Sequence, residues 1–181
     1  MKLKAIKKKL PVYTERLKIS TLGVRDISSY AGELQQDYFV EFMDNRKILN
    51  MSMVEIKTKL ASLVATYSID YPFVYEYRLV VKDINTNELI GGLTMFPIKQ
   101  TGFIEVAYWI KPKYQGRGYA TEALKALSQF VLNTFKECIG VELTIQSKNT
   151  GSIKVAERCG FRLSGSINGK FDTNLVYKLW R

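Results

Sequence analysis

The sequence predicts a single α/β domain built on a mixed β-sheet. Three observations lead to this fold class. Strand-like apolar runs separated by turn residues fill the middle of the chain, a long amphipathic helix then precedes another apolar run, and two more strand-like segments close the sequence. A length of 181 residues, with 46% hydrophobic and 24% charged residues, suits one globular domain with a sizeable core.

The first ten residues are the most basic part of the chain. They contain five lysines and no acidic residue, and they supply half of the formal net charge of +10. Because this segment has little apolar surface, it predicts a basic flexible tail over residues 1–11, followed by one domain over 12–181. Pro11 and the polar residues after it interrupt the apolar stretch that a signal peptide would need.

The sequence pattern between residues 17 and 67 predicts one strand and two helices. Alternating apolar and polar residues over 17–21 are typical of a half-buried strand. Asp26 can cap a helix whose apolar positions run with helical spacing from Ile27 to Tyr38. Ser52 followed by Glu55 matches a capping box, which predicts the start of a second helix. The predicted buried face of that helix comprises Leu60, Leu63, Val64 and Tyr67.

The middle of the chain predicts three consecutive strands, at 74–82, 89–98 and 103–110. The two separating segments, 83–87 and 100–102, are rich in Asp, Asn, Thr and Gly, which favour turns. Short turns of this kind join antiparallel neighbours, so we expect an antiparallel meander.

The pattern then changes to a β-α-β unit. Apolar residues from Ala120 to Phe135 share one helical face, and a strand is predicted directly after them at 141–146, which suits a parallel crossover. Asn149 can cap a further helix, and Gly160 can end it in a left-handed conformation. The closing strands are predicted at 161–167 and 174–180.

The composition excludes several kinds of active site. The chain has no histidine, which removes Ser-His-Asp and Cys-His nucleophilic sites and the zinc sites that use imidazole. Its two cysteines, Cys138 and Cys159, have neither CxxC spacing nor the density of a disulfide scaffold, so we expect a reduced, cytoplasmic protein without a bound metal. No window offers the roughly 20 apolar residues of a spanning helix, so we expect no membrane partner.

The most informative segment is residues 108–120, which join a buried strand to the long helix. Gly116 and Gly118, with the small Ala120, allow a tight turn that exposes backbone N–H groups at a helix N-terminus, where the helix dipole favours negative charge. A phosphate or pyrophosphate is the expected ligand, unless the glycines serve only the turn. The segment lacks the Gly-Lys-Ser/Thr ending of a P-loop and follows the fourth predicted strand, which disfavours ATP and NAD.

This segment resembles the acyl-CoA signature of the GCN5-related N-acetyltransferase (GNAT) family, Gln/Arg-x-x-Gly-x-Gly/Ala. Gln115, Gly118 and Ala120 supply the pattern here. Four further stretches resemble the subfamily of ribosomal-protein alanine N-acetyltransferases (RimJ/RimL-like), and the resemblance spans roughly residues 12–180. They are TERL at 14–17, LIGG at 89–92, EVAYWI at 105–110, and NTGS running to CGF at 149–161. The resemblance implies the GNAT fold, in which the fourth and fifth strands splay apart. In this sequence they are the strands predicted at 103–110 and 141–146.

The resemblance also implies a site for acetyl-CoA as cosubstrate. The pantetheine arm would lie between the splayed strands and pair with backbone groups of Tyr108, Trp109 and Ile110, while Asn149 would bond to the arm, cap its own helix, or do both. The amides of the glycine loop would hold the pyrophosphate, with added charge from Arg117. This predicted cofactor site comprises Tyr108, Trp109, Ile110, Gln115, Gly116, Arg117, Gly118, Tyr119, Ala120 and Asn149.

In the reaction that the resemblance implies, a neutral amine attacks the thioester without a covalent enzyme intermediate. This step needs a proton acceptor and a proton for the departing thiolate. Glu105 stands where the family often has a general-base glutamate, and Ser152 is the expected acid. Asp172, on a late loop, is the rival base. The structural alternatives are an ion-paired or solvent-facing strand residue for Glu105 and a hydroxyl that satisfies the first helical turn for Ser152.

The acceptor and the partners stay open at the level of sequence. Within the resemblance, the acceptor is either a protein N-terminus or a small amine, and a homodimer is compatible with the chain. The net charge of +10 also suits a ribosome- or nucleic-acid-binding module, but no RNP, helix-turn-helix or zinc pattern appears, so nucleic acid is expected only through docking to a ribosome. A third alternative is a relative that binds acyl-CoA without turnover.

Overall fold

A computed structural model of the chain describes residues 6, 9–41, 46–68, 76–98, 100–169 and 172–181. These residues contain an eight-stranded sheet with the strand order β1-β2-β3-β4-β5-β6-β8-β7. The strands are β1 Val12–Tyr13, β2 Leu17–Thr21, β3 Tyr77–Asp83, β4 Leu89–Ile98, β5 Phe103–Ile110, β6 Gly140–Gln146, β7 Arg162–Asn168 and β8 Thr173–Trp180. The first two residues of the strand predicted at 74–82 lie outside the described residues.

Five α-helices and three short 3-10 turns accompany the strands in the described ranges. The helices are α1 Ile27–Leu34, α2 Asp37–Val40, α3 Met53–Ser68, α4 Tyr119–Thr134 and α5 Thr150–Arg158, and the 3-10 turns are Val24–Asp26, Arg46–Asn50 and Pro112–Tyr114.

Two predictions for the helices before β3 have different outcomes. The capping box is confirmed, because Ser52 N donates to Glu55 Oε2 at 2.7 Å and Glu55 N donates to Ser52 Oγ at 3.2 Å. The single helix predicted from Ile27 to Tyr38 is wrong. Gln36 adopts an extended conformation between α1 and α2, and its side chain donates to the Gly32 carbonyl, which satisfies one of the free carbonyls at the end of α1.

The core consists of two clusters on opposite faces of the sheet. Neighbouring residues of β3 divide between them, since Leu79 and Val81 belong to the first cluster and Val80 to the second. The first cluster contains the apolar face of α4, and the second contains α1 and most of the buried face of α3. Ile6, within the predicted tail, is fully buried in the first cluster, and Leu10 packs partly buried against it. The tail boundary at residue 11 stays a prediction.

The strand pairing positions the site. Strands β3 to β5 form the predicted antiparallel meander, and β2 adds to it by antiparallel pairing with β3. Helix α4 connects β5 to its parallel neighbour β6. Parallel pairing is limited to three residue pairs and ends at Glu105 opposite Glu142, although β5 continues to Ile110 and β6 to Gln146. The two strands therefore separate beyond Glu105, as the predicted splaying requires.

Candidate active site

The separation of β5 and β6 opens a cleft with a volume of about 460 Å³. The end of β5, the loop before α4, the first turns of α4 and α5, and the α2 region form its walls. Nine of the ten residues predicted to bind the cofactor line it: Tyr108, Trp109, Ile110, Gln115, Gly116, Gly118, Tyr119, Ala120 and Asn149. Arg117 is exposed and does not line the cleft, whereas Ser152 does.

The glycine loop has the backbone geometry of an anion site. Gly116 and Gly118 have φ angles of +73° and +81°, in the left-handed region that residues with a Cβ avoid. Gly118 is the N-cap of α4 and has no side chain with which to cap it, so side chains leave the first N–H groups of the helix free for a ligand. Gln115 folds the loop back onto β5, because its Nε2 donates to the Ile110 carbonyl at 2.8 Å.

A second glycine feature positions the wall formed by β5. The indole of Trp109 lies directly over Gly92 of β4, where a Cβ would come within 2.6 Å of the indole Nε1. Only glycine leaves room for this packing. Trp109 Nε1 donates to Tyr30 Oη at 3.4 Å. The Phe39 ring packs edge-on against the indole, with 5.9 Å between the ring centres. The Trp109 side chain thus anchors β5 to the helices on one face, while its backbone borders the cleft.

Two hydroxyl groups lie together where α5 begins. Asn149 Oδ1 accepts from Ser152 N at 3.0 Å, so Asn149 is the N-cap of α5, and this leaves its amide nitrogen available for a ligand. Tyr108 Oη donates to the Ser152 carbonyl at 3.3 Å. Burial raises the pKa of Tyr108 to about 12, against a smaller lowering by Ser152. Tyr108 is therefore protonated at neutral pH and brings a proton donor to the cleft.

Glu105 stands where the two strands part, outside the walls of the cleft. Strand alternation places its half-buried side chain on the sheet face of Trp109, opposite to that of Tyr108. Its register partner Glu142 is buried and pairs with Lys178, with 3.6 Å between Lys178 Nζ and Glu142 Oε2.

The rival base Asp172 does not line the cleft either. Its Oδ1 accepts from Thr173 N at 2.7 Å and from Ser147 Oγ at 3.4 Å, so the carboxylate holds its own loop. Burial raises the pKa of Cys159 to about 11, which leaves this thiol protonated and a poor nucleophile.

Sequence reasoning missed the wall that comes from the α2 region. Tyr38, Phe39 and Glu41 line the cleft. Glu33 ties α2 to the end of β5, because it accepts from Tyr38 Oη at 2.6 Å and pairs with Lys111 Nζ at 2.8 Å. The only signal for this wall was the aromatic pair Tyr38-Phe39, of which the helical periodicity assigned Tyr38 to a buried helical face.

The basic wall from α5 was missed as well. Lys154 and Arg158 line the cleft, and as charges on an exposed helical face they resemble ordinary solvated residues. The described ranges contain no group of three His, Cys, Asp or Glu residues suited to a metal ion. Nor do they contain a helix of the length and apolarity that a membrane span needs.

Comparison with known protein sequences identifies related acetyltransferases. A family model for the acetyltransferase (GNAT) domain matches residues 16–162. The probable N-acetyltransferase YjcK of Bacillus subtilis is 28% identical over 111 residues, which cover 56% of this chain and 60% of that protein. The spermine/spermidine N(1)-acetyltransferase of the same organism is 31% identical over 72 residues, covering 40% of this chain and 47% of the relative. The matches therefore span only about half to three fifths of these relatives.

Solved structures share the fold over nearly the whole chain. The ribosomal-protein-S5-alanine acetyltransferase from Vibrio fischeri has a TM-score of 0.77 at 18% identity, covering 95% of this chain and 97% of its own. RimL, a ribosomal L7/L12 alpha-N-protein acetyltransferase in complex with coenzyme A, has a TM-score of 0.78 at 16% identity, with coverages of 95% and 98%. The aminoglycoside acetyltransferase AAC(6')-Ib in complex with coenzyme A has a TM-score of 0.73 at 15% identity, with coverages of 91% and 95%.

Proposed function

Since the chain belongs to the GNAT family of acetyltransferases, we propose that it transfers the acetyl group of acetyl-CoA to a primary amine by direct attack. The observation that carries this proposal is the cleft between β5 and β6, which leads to a helix N-terminus built on two left-handed glycines. An extended thioester with an anionic end fits both features, because the strand edge offers hydrogen bonds and the loop offers N–H groups.

The backbone of β5 would bind the pantetheine arm. Beyond Glu105, β5 pairs with β4 on one side and has no pairing with β6 on the other. The backbone groups of residues 108–110 that face away from β4 would pair with the amides of the arm as a neighbouring strand does. The amides of residues 115–120 would hold the pyrophosphate, and the Asn149 amide nitrogen would donate to the arm.

The proton steps are assigned to side chains near the cleft. The amine nitrogen forms a bond to the thioester carbon, the carbon–sulfur bond breaks, the amine loses a proton and the thiolate gains one. Glu105 is the proposed base, and its place outside the cleft walls favours a bridging water between it and the amine. Ser152 is the proposed acid, and the Tyr108 hydroxyl beside it is a second candidate.

The acceptor is proposed to be a protein N-terminus or a small amine. Among the related proteins, RimL is a ribosomal-protein acetyltransferase, AAC(6')-Ib an aminoglycoside acetyltransferase, and the Bacillus protein a spermine/spermidine acetyltransferase. Glu41 in the cleft wall offers a carboxylate that attracts the ammonium form shared by all these acceptors. Ribosome docking by the basic N-terminal segment, a homodimer and a cytoplasmic location stay predictions.

The proposal is tested by a thiol-release assay that presents acetyl-CoA with panels of N-terminal peptides, ribosomal proteins, polyamines, amino acids and aminoglycosides. We expect acceptor-dependent release of CoA with one panel, and a rise in melting temperature with acetyl-CoA alone. A rise in melting temperature without turnover on any panel would support the non-catalytic alternative. A rise with ATP or NAD but not with millimolar acetyl-CoA would contradict the assignment of the loop.

A further inference from the structure

Behind the glycine loop, three side chains connect the start of β2 to the first turn of α4. We call this cluster of Thr14, Arg16 and Glu122 the brace. Glu122 Oε1 accepts from Thr14 Oγ1 at 2.5 Å and from Arg16 N at 3.0 Å. Glu122 Oε2 accepts from Arg16 Nε at 2.7 Å and lies 2.6 Å from Arg16 Nη2. Both carboxylate oxygens are thus held by residues more than 100 positions earlier in the chain.

The Arg16 guanidinium also contacts three consecutive residues of the loop. Its Nη1 donates to the Arg117 carbonyl at 3.0 Å, and its carbon lies 4.2 Å from the centre of the Tyr119 ring. A Cβ placed on Gly118 would be 3.5 Å from Nη2. Arg16 therefore packs against the back of the loop whose front lines the cleft.

This contact fixes the direction of one N–H group. The Arg117 carbonyl and the Gly118 N–H belong to the same planar trans peptide, so the two groups point in opposite directions. Because the carbonyl is directed to Arg16, the Gly118 N–H is directed away from Arg16. Arg16 thereby sets the orientation of an amide that the proposed function assigns to the pyrophosphate.

The brace also sets the ionisation state of Glu122, which lies beside the proposed anion site. Burial tends to raise the pKa of Glu122, but the hydrogen bonds from Thr14 and Arg16 and the charge of Arg16 outweigh it and hold the pKa below the ordinary 4.5. Glu122 is therefore a carboxylate at neutral pH, in the first turn of the helix that would bind the pyrophosphate. Without Arg16, this negative charge would oppose the ligand.

We propose that Arg16 is a positioning residue for acetyl-CoA: it aims the Gly118 amide and neutralises Glu122, without acting in the chemical step. The inference rests on the proposed function, because it takes the pyrophosphate as the ligand of the loop. Arg16 contacts the loop from behind and does not line the cleft, so its removal should change cofactor affinity and leave kcat and acceptor affinity nearly unchanged.

The test compares four variants by acetyl-CoA titration, steady-state kinetics and melting temperature. Arg16→Gln is expected to raise the Kd and KM for acetyl-CoA by about tenfold, with kcat and the acceptor KM within about twofold of wild type. Arg16→Lys keeps the charge but loses the forked geometry, so an intermediate Kd is expected. Arg162→Gln removes an equal charge from an exposed position on β7 and should leave the Kd unchanged.

The double variant Arg16→Gln/Glu122→Gln separates the two effects of Arg16. Removing the carboxylate should recover the part of the lost affinity that the unpaired charge of Glu122 causes, whereas the part due to orientation of the Gly118 amide should stay lost. Salt should reduce the Kd difference between Arg16→Gln and wild type, because the unpaired Glu122 is screened. A purely structural role would lower the melting temperature of Arg16→Gln with no change in Kd, and that result would overturn the inference. Absence of acetyl-CoA binding by the wild-type protein would instead refute the proposed function, and the inference with it.

Discussion

The two ends of the cleft are built in different ways. The loop end consists of consecutive residues, 115–120, whose backbone geometry is set by Gly116 and Gly118 and supported from behind by Arg16. The other end lies beside the proposed catalytic side chains, which come from separate elements: Tyr108 of β5 and Ser152 of α5 line the cleft, and Glu105 stands outside its walls on the opposite face of β5. A binding site made of backbone is encoded in a short local pattern, whereas a constellation of side chains depends on the whole fold.

The largest expected effect tests the assembled end. Glu105→Gln keeps the size and hydrogen bonding of the side chain but removes the base, so kcat should fall by roughly 10²-fold or more, with partial recovery at high pH as the free amine accumulates. Acetyl-CoA affinity, measured by titration, should stay near the wild-type value. Asp172→Asn is the matched control. If Asp172→Asn eliminates turnover while Glu105→Gln is active at neutral pH, the base belongs to the late loop.

The next effect tests the loop end. Gly118→Val forces a β-branched residue into a φ of +81°, where an ordinary L-residue is disfavoured by roughly 1–2 kcal/mol. We expect acetyl-CoA affinity to fall by about tenfold or more, and the rise in melting temperature with acetyl-CoA to disappear. Gly32→Ala, at a helical position of α1 with open space around the added methyl group, serves as the control. Unchanged acetyl-CoA affinity in Gly118→Val would contradict the assignment of the loop to the acetyl-CoA site.

A smaller effect concerns the two hydroxyls beside the cleft. A departing thiolate needs little assistance, because a thiol has a pKa of about 8.5, so Ser152→Ala should lower kcat by about tenfold rather than more. Tyr108→Phe should lower kcat to a similar extent if the two hydroxyls deliver the proton as one unit. The kcat of the double variant should then equal that of the less active single variant. Full activity of both single variants in the thiol-release assay would exclude the assignment of either hydroxyl as the acid.

The smallest effect concerns the link between the brace and stability. Glu122→Gln should lower the melting temperature by about 2–4 °C at neutral pH, which corresponds to roughly 1 kcal/mol in a domain of this size. Because the pKa of Glu122 is lowered in the folded protein, its contribution is complete above the ordinary value of 4.5 and is lost as the pH falls through the lowered value. The melting temperatures of the two proteins should therefore converge as the pH falls from 4.5 through the lowered pKa. A difference that stays constant throughout acid titration would contradict this account.

The sequence predicted the GNAT fold, and the strands whose signals are local agree best with the structure. The predicted segments 89–98 and 103–110 coincide with β4 and β5, because alternation and turn chemistry are read within a few residues. Strand β1 was missed, since two residues show no period. The break between α1 and α2 was missed because Gln36 has no intrinsic preference for ending a helix and the apolar spacing continues past it.

The candidate site divides in the same way. Nine of the ten residues predicted to bind the cofactor line one cleft, because most of them follow one another along β5, the loop and α4. Arg117 belongs to this run and yet faces away, since the turn that exposes the amides also directs its side chain outward. The α2 wall depends on contacts such as that between Phe39 and Trp109, which are 70 residues apart and leave no trace in the sequence pattern.

The order of the elements along the chain also determines when the site becomes complete during synthesis. The chain makes β5 and the glycine loop first, but the wall that contains Asn149 and Ser152 requires α5, which follows β6 in the sequence. A nascent chain from which α5 has not yet emerged therefore carries the glycine loop without the complete cleft. The proposed binding of acetyl-CoA would thus become available only late in translation, when most of the meander has had time to fold.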